Sequence, residues 1–169
     1  SHCDFSDDGV QYSSNGKMLE ARIVGPRRAA VAMPAPDGLR LNVKLKDVTA
    51  HYVHTGVPHA VVFVRHLEAI DVKALGKRIR HHEYWGGQGA NVDFIQVIKG
   101  VVHVRTYERG VEDETLACGT GFVAAAFIAR ALKKTGDIVK IKARSGERLT
   151  VSFSDKTWLE GPGAVTFTG

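Results

Sequence analysis

Residues 120–134 constrain the fold of this chain more than any other segment. The segment combines five alanines with five large apolar residues, Phe122, Val123, Phe127, Ile128 and Leu132. At 3.6 residues per turn these side chains make a helix that is apolar on nearly every side, and such a helix must be surrounded by other parts of the protein. Lys133 and Lys134 follow where the helix dipole favours cations, and Thr135-Gly136 predicts a left-handed stop.

The rest of the chain is mostly β-prone. Short runs separated by turn signals predict strands at 18–24, 29–33, 39–45, 48–53, 60–64, 92–98, 101–107, 138–143, 148–153, 157–159 and 164–167. Residues 71–80 carry apolar side chains at helical spacing behind Asp71, which predicts a short surface helix. Lys99-Gly100 predicts a two-residue hairpin link. The predicted fold class is therefore α+β, a curved and mostly antiparallel β-sheet wrapped around one central buried helix at about 120–134.

Composition and charge exclude several classes of protein. The chain has 169 residues, of which 44% are hydrophobic and 24% charged, and it has no internal repeat, so we expect one compact domain. The longest apolar run is interrupted by Arg130 and is too short to cross a bilayer, and no signal segment opens the sequence. A cytoplasmic location is therefore expected. The net charge of +5 is spread along the chain and does not by itself identify a partner.

Cys118 lies directly before the predicted buried helix. At that position its sulfur would face unpaired N–H groups and the positive end of the helix dipole, which is expected to lower the pKa of the thiol and make it a usable base. Gly119 and Gly121 leave room for a ligand carboxylate to approach the same N–H groups. The other cysteine, Cys3, is far away in sequence, so neither a disulfide framework nor a zinc site is indicated.

Taken alone, a Cys-Gly-Thr-Gly segment is a short match, and a small buried cysteine is the ordinary alternative. The longer context is specific. Residues 108–121 read Glu-Arg-Gly, a short acidic stretch and then Thr-Leu-Ala-Cys-Gly-Thr-Gly, which resembles the second cysteine motif of the diaminopimelate epimerases. Residues 55–61, Thr-Gly-Val-Pro-His-Ala-Val, and residues 89–94, Gly-Ala-Asn-Val-Asp-Phe, resemble two further motifs of that family in the same order.

The resemblance implies a fold of two similar halves, each a sheet curled around a helix, with the substrate in the cleft between them. It also implies interconversion of LL- and meso-diaminopimelate, in lysine and peptidoglycan precursor synthesis, by two cysteines that act without pyridoxal phosphate, any other cofactor or a metal. The motif of the first cysteine occurs nowhere in this sequence, and Cys3 lacks its context. The chain is therefore expected to supply one half of the active site and to be inactive, or severely impaired, in isolation.

The resemblance assigns roles to residues that match its motifs. Cys118 would be the acid/base for one stereoisomer, Glu108 would assist the thiols and, with Arg109, bind the distal amino and carboxylate groups. His59 would orient a catalytic thiol or its proton. Asn91 would bind the polar end of the substrate, and the N–H groups of Gly119 and Thr120 would bind the α-carboxylate.

Two positions depart from the family pattern. Val57 replaces an asparagine that contacts substrate, which removes a hydrogen bond and leaves the choice of substrate open. Asp93 replaces the more common second asparagine of its motif, adds a charge, and is interpreted as structural.

The resemblance also sets the expected organisation and partners. Residues 1–16 are assigned to an N-terminal segment, an expression scar together with a strand between the halves, and residues 17–169 to the C-terminal epimerase-type domain. The expected partners are a small amino-acid substrate, the N-terminal half of the same enzyme and a second copy in a homodimer. Neither a nucleic acid nor a membrane is expected, and for a plant source the resemblance implies the plastid stroma.

Four other classes of protein share some of these features. A proline or hydroxyproline racemase shares the helix start but usually has Asp-Arg-Ser-Pro before it, and phenazine-pathway isomerases share the fold but lack the cysteine. A non-catalytic binding domain of the same fold, for example one that binds RNA, would fit the basic charge, yet no RNA-binding aromatic motif occurs. A cysteine hydrolase could use Cys118 as nucleophile and His59 as base, but it gives the Glu-Arg-Gly motif no role.

Overall fold

The structure is a computed structural model that describes residues 3–6, 9–14 and 17–162 of the chain. Its strands are β1 Cys3–Ser6, β2 Gly9–Ser14, β3 Lys17–Gly25, β4 Arg28–Met33, β5 Asp37–Leu45, β6 Val48–His54, β7 Pro58–Phe63, β8 Asn91–Ile98, β9 Val101–Glu108, β10 Asp113–Thr115, β11 Ile138–Lys142, β12 Arg148–Phe153 and β13 Thr157–Pro162. The α-helices are α1 Val72–Arg80 and α2 Gly119–Ala131, and short 3-10 helices span Leu67–Ala69 and Glu83–Trp85.

Within the described residues the strands form one open, mixed sheet. Its order is β1-β2-β3-β4-β13-β12-β11-β9-β8-β7-β6-β5, and β10 pairs with β9 beside this path. The β7–β8 and β9–β11 pairs are parallel, whereas the other described pairs are antiparallel. The prediction of a mostly antiparallel sheet is therefore confirmed.

Most of the predicted strands are found within a few residues of their expected bounds. The hairpin between β8 and β9 turns at Lys99 and Gly100, whose φ angles of 48° and 76° match the tight turn that strand twist favours. β10 was not predicted, because three polar residues carry no alternating pattern. The described part of the N-terminal segment forms β1 and β2 beside β3. The strand predicted at 164–167 lies outside the described residues.

Helix α1 forms where its pattern predicted. The carboxylate of Asp71 accepts a hydrogen bond from the Ala74 N–H at 2.9 Å, which caps the first turn. Val72, Gly76 and Ile79 are buried, Leu75 is half-buried, and the other residues between Val72 and Ile79 are exposed. Gly76 lies so close to the ring of Tyr107 on β9 that a Cβ at this position would approach that side chain to 2.5 Å.

Helix α2 is shorter at its C-terminus than predicted. It ends at Ala131, and Lys133 takes the left-handed conformation with a φ of 57°. The Lys134 N–H bonds to the Ala129 carbonyl and the Lys133 N–H to the Arg130 carbonyl, which is the Schellman pattern. The prediction of a stop at Thr135-Gly136 was wrong, because hydrogen bonding closes the helix three residues earlier without a glycine. Among the described residues, no helix has the length and apolar character to span a bilayer.

The alternation of side chains along β7, β8 and β9 divides the core into two clusters. Val61, Ile95 and Val104 belong to the cluster around α2. Val62, Phe94 and Tyr107 belong to the cluster that includes residues of α1. Because side chains alternate between faces, His59, Asp93 and Thr106 share the α2 face with the first set. The fold thus places polar side chains of three adjacent strands beside α2.

Candidate active site

The candidate residues gather at one end of the central strands. His59 is the second residue of β7 and is paired with Asn91, which opens β8. Glu108 closes the antiparallel neighbour β9, so its end lies beside the start of β8. Cys118 is the N-cap residue of α2. Parallel pairing of β7 with β8 and antiparallel pairing of β8 with β9 therefore bring distant motifs together.

The first turn of α2 is tied to the β6–β7 connection. The hydroxyl of the fully buried Thr55 donates to the main-chain carbonyl of Thr120 at 3.0 Å. On the other side of the same residue, the Thr120 hydroxyl lies 3.5 Å from the sulfur of Cys118 and 2.9 Å from Nε2 of His59. The side chain of Thr120 thus bridges the thiol and the imidazole, which do not themselves form a hydrogen bond.

The thiol of Cys118 is less acidic than predicted. Burial raises its pKa from 9.0 to about 12, and the nearby charges of Asp93 and Glu108 act in the same direction. The Thr120 hydroxyl and the Gly121 N–H at the start of α2 oppose this rise only in part. The prediction of a lowered pKa was therefore wrong in its net direction, because desolvation of the thiolate outweighs the contribution of the helix start.

His59 belongs to a fully buried polar cluster. Its Nδ1 lies 2.6 Å from a carboxylate oxygen of Asp93, and neither side chain is exposed to solvent. The other carboxylate oxygen of Asp93 accepts a hydrogen bond from the Thr106 hydroxyl at 2.7 Å. Asp93 and Thr106 face each other across β8 and β9. A buried charge needs such partners, so the three residues form one unit.

Asn91 is held by the protein through both ends of its amide. Its oxygen accepts a hydrogen bond from the Arg109 N–H at 2.7 Å, and its nitrogen donates to the Pro58 carbonyl at 3.3 Å. That nitrogen also lies 3.5 Å from Nε2 of His59. Asn91 therefore fixes the end of β9 against the start of β7, as well as lying at the site.

Glu108 and Arg109 are half-buried at the end of β9. Within the described part of the chain, neither side chain forms an ion pair, although the charge of Glu108 acts on the Cys118 thiol. The structure thus brings Cys118, Thr120, His59 and Asn91 into one contact network and places Glu108 near it. It shows no contact of the Arg109 guanidinium with this network.

Gly121 does not leave the open space that the sequence predicted. A Cβ at this position would lie 2.5 Å from a carboxylate oxygen of Asp93 and 3.3 Å from the sulfur of Cys118. The room that the missing side chain creates is filled by a carboxylate of the protein itself. Half-buried Gly119 lies at the start of the same turn.

Sequence reasoning missed Thr106 and underestimated Asp93. The signal was present, because Val102, Val104 and Thr106 alternate along β9 and the third position is polar on an otherwise apolar face. A polar residue on a core-facing position needs a partner, and Asp93 provides it. Across the described ranges, no group of three or more His, Cys, Asp or Glu side chains is arranged to hold a metal ion.

Sequence comparison places this network in a known context. The sequence model of the diaminopimelate epimerase family matches residues 51–167. A diaminopimelate epimerase of Chlorobaculum tepidum is 38% identical over 164 residues, which are 94% of this chain and 64% of that protein. One from Aquifex aeolicus is 41% identical, covering 95% of this chain and 57% of that protein. The chain thus spans about 60% of the length of these curated relatives.

Comparison of folds finds more distant structures. A phenazine biosynthesis protein of the PhzF family from Bacillus anthracis superposes with a TM-score of 0.67 at 13% identity, over 94% of this chain and 66% of that one. A hydroxyproline epimerase from Agrobacterium vitis, solved with bound trans-4-hydroxy-L-proline, gives 0.65 at 16% identity, over 94% and 58%. At such identities the likeness concerns the fold alone.

Proposed function

Because this chain belongs to the diaminopimelate epimerase family, we propose that it supplies one half of the active site of an enzyme that interconverts LL- and meso-diaminopimelate. The reaction inverts a carbon by removal of its proton on one face and delivery of a proton on the other. Cys118 is the acid/base of this half. The second base belongs to an N-terminal half of the enzyme, and the isolated chain is expected to be inactive or severely impaired.

We infer that the sheet curves around α2. The helix packs against four strands that precede it in the chain, β6, β7, β8 and β9, and against three that follow it, β11, β12 and β13. Eight of its thirteen residues are buried. A flat sheet cannot contact one short helix with so many strands, which supports the curved arrangement and agrees with the need to surround an apolar helix.

The proton on Cys118 defines its resting role. With a pKa of about 12, the sulfur carries its proton at neutral pH. A protonated thiol can donate to the carbanion that forms when the opposite base removes the α-proton. Cys118 is therefore the proton donor of this half in the resting enzyme. For the opposite stereoisomer it must first lose its proton, and the neighbouring Thr120 and His59 provide a path for this.

The charged groups of the substrate match the groups beside Cys118. The unpaired N–H groups of Gly119 and Thr120 at the start of α2 suit the α-carboxylate. The fork of donors on Arg109 suits the distal carboxylate, and Glu108 suits the distal ammonium group. A substrate with two charged ends uses both residues, whereas proline would leave them without a partner. This supports diaminopimelate over the racemase alternative.

The observation that carries this proposal is the hydrogen-bonded path from Cys118 through Thr120 to His59. A merely structural cysteine at a helix start has no need of a buried imidazole behind its neighbour. The cysteine hydrolase alternative would require a direct contact of the thiol with the imidazole, and Thr120 lies between them.

The test is exchange of the α-proton measured by NMR. LL- and meso-diaminopimelate are incubated in deuterated water with this chain and the N-terminal half of the Chlorobaculum tepidum relative. We expect exchange and inversion with both halves present and neither with one half alone. Cys118→Ala abolishes inversion, whereas Cys3→Ser serves as the matched control and leaves it unchanged.

Two results would contradict the proposal. Inversion that persists in Cys118→Ala would remove the assigned acid/base. Absence of exchange from a mixture shown by circular dichroism and gel filtration to be folded and associated would reject diaminopimelate as the substrate. In that case exchange with hydroxyproline under the same conditions would favour the racemase alternative.

A further inference from the structure

The contacts of the buried pair of His59 and Asp93 favour one arrangement of protons. An N–H group can only donate, so the hydrogen bond from the Arg109 N–H identifies the acceptor end of the Asn91 side chain as its oxygen. The amide nitrogen of Asn91 then faces Nε2 of His59 at 3.5 Å. Since that nitrogen is a donor, an unprotonated Nε2 fits this contact, whereas a protonated one would place two donors against each other.

The opposite side of the ring follows from this. A neutral imidazole with an unprotonated Nε2 carries its proton on Nδ1, which lies 2.6 Å from a carboxylate oxygen of Asp93. An ionised carboxylate can only accept, so Nδ1–H donates to it. The Thr106 hydroxyl donates to the second oxygen and prevents the carboxylate from turning away.

Thr120 extends the same order toward the thiol. With Nε2 of His59 as an acceptor, the Thr120 hydroxyl donates to it at 2.9 Å. The lone pairs of the hydroxyl oxygen are then free to accept from the S–H group of Cys118 at 3.5 Å. In both hydrogen bonds of the path from Cys118 through Thr120 to His59, the donor is therefore on the sulfur side and the acceptor on the imidazole side.

We propose that Asp93 is a positioning residue, which holds His59 with its proton on Nδ1 so that Nε2 can receive the proton of Cys118 through the Thr120 hydroxyl. This inference rests on the proposed function for the role of Cys118 as acid/base. The tautomer itself does not depend on that function.

The proton transfer balances without any other group. The S–H bond of Cys118 breaks as its proton bonds to the Thr120 oxygen, and the original hydroxyl proton of Thr120 moves to Nε2 of His59. The products are a thiolate and an imidazolium, and the Asp93 carboxylate neutralises the latter. A sulfur whose surroundings disfavour a lone thiolate thereby becomes a base when its proton is held nearby.

The start of α2 reduces the energetic cost of burying the Asp93 carboxylate. Gly121 lets Asp93 approach the first turn of the helix, where the dipole stabilises negative charge. With Nδ1–H of His59 and the Thr106 hydroxyl, the carboxylate has a compensating contact on each side. Asp93 is thus placed for a charged role.

The first experiment measures the tautomer directly. Nitrogen-15 NMR of the full 169-residue chain, labelled at histidine, distinguishes protonated from unprotonated ring nitrogens, and a His59→Gln spectrum assigns the signals. We expect Nδ1 of His59 to be protonated and Nε2 unprotonated at neutral pH. A protonated Nε2 on a neutral ring would overturn the inference, whether or not the chain acts on diaminopimelate.

The second experiment uses Asp93→Asn, with Asp47→Asn as a matched control. Asp47 is an exposed carboxylate that pairs with Arg78 far from the site. In a Cys3→Ser background, Asp93→Asn should raise the rate of Cys118 alkylation severalfold at fixed pH, because it removes a charge that disfavours the thiolate. In the two-half assay, the rate of α-proton exchange should fall at least about tenfold in the same variant. The control should change neither rate.

These opposite changes separate a positioning role from a structural one. A thiol that is easier to ionise would by itself speed exchange, so slower exchange reports the lost stabilisation of the imidazolium. Unchanged or faster exchange in Asp93→Asn would overturn the inference. If that variant fails to fold, Thr106→Val provides the test, since it frees the carboxylate and should also slow exchange.

Discussion

At Cys118 opposing influences act on one sulfur atom. The start of a helix favours a thiolate, but burial and the charges of Asp93 and Glu108 disfavour it more strongly. The net result is a pKa raised to about 12, so the isolated chain keeps the thiol proton at neutral pH.

Alkylation should follow the raised pKa of Cys118. In Cys3→Ser, the rate of reaction with iodoacetamide should be low at pH 8 and still increase between pH 9 and 11, since thiolate is the reactive form and the pKa is about 12. Mass spectrometry of timed samples measures this. A plateau below pH 9 would contradict a Cys118 pKa of about 12.

The same shift makes stability depend on pH. The folded chain holds the Cys118 proton more tightly than the unfolded chain, in which the pKa is near 9.0. The stabilising contribution is therefore present below pH 9 and is lost as pH rises through about 12. The thermal unfolding temperature of Cys118→Ala should therefore fall less steeply over this pH window than that of the unmodified chain.

Removal of the Thr120 hydroxyl should interrupt the path to His59. Thr120→Val keeps the shape of the side chain and the carbonyl that accepts from Thr55, so the fold should be retained. Exchange in the two-half assay should fall at least about tenfold, because the thiol and imidazole lose their bridge. Thr49→Val is the control, since the Thr49 hydroxyl accepts a hydrogen bond from Lys44 on the surface. Equal rates for both variants would contradict the bridge.

At the scale of elements, packing overrides local preference in α1. In an isolated helix, alanine is more favourable than glycine by about 1 kcal/mol. Gly76, however, lies against Tyr107, and an added Cβ would approach the Cβ of that residue to 2.5 Å. Either the helix or β9 must move to accommodate it.

Gly76→Ala should therefore lower the thermal unfolding temperature despite its better helix propensity. A loss of about 1–3 kcal/mol is typical of overpacking. Lys77→Ala, at an exposed position of the same helix, should leave the unfolding temperature almost unchanged. Differential scanning calorimetry distinguishes the two. Stabilisation by Gly76→Ala would show that this contact is not tight.

At the scale of the whole molecule, exposed apolar side chains lie in the segment that leads into the candidate site. Val111 and Leu116 are 57% and 68% exposed and flank the acidic stretch before Cys118. Ile138, at 71% exposure, begins β11 at the opposite end of the central strands. In the proposed enzyme, apolar side chains beside the site lose exposed surface when the N-terminal half packs against it.

Leu116→Asp should weaken the association with the N-terminal half, because it places a charge in the expected contact. Ile138→Asp is the matched control and should have little effect. Titration by isothermal calorimetry should show a dissociation constant raised about tenfold or more by the first variant. Equal affinity for both variants would place the contact elsewhere on the surface.

The sequence alone determined much of the fold and proposed the residues of the candidate site. The apolar segment at 120–134 required a buried helix, alternation required strands, and the three motifs identified Cys118, His59 and Asn91. These features depend on local periodicity and on residue type, which a sequence states directly. The family also followed from the same motifs.

Only the tertiary structure decided how these residues act on one another. The pairing of β8 with β9 joins Asp93 to Thr106, and the packing of α2 brings Thr120 to His59. Desolvation of Cys118 depends on everything that surrounds it, so a rule about helix ends gave the wrong direction for its pKa. Burial and register arise from contacts between distant segments, and no local pattern contains them.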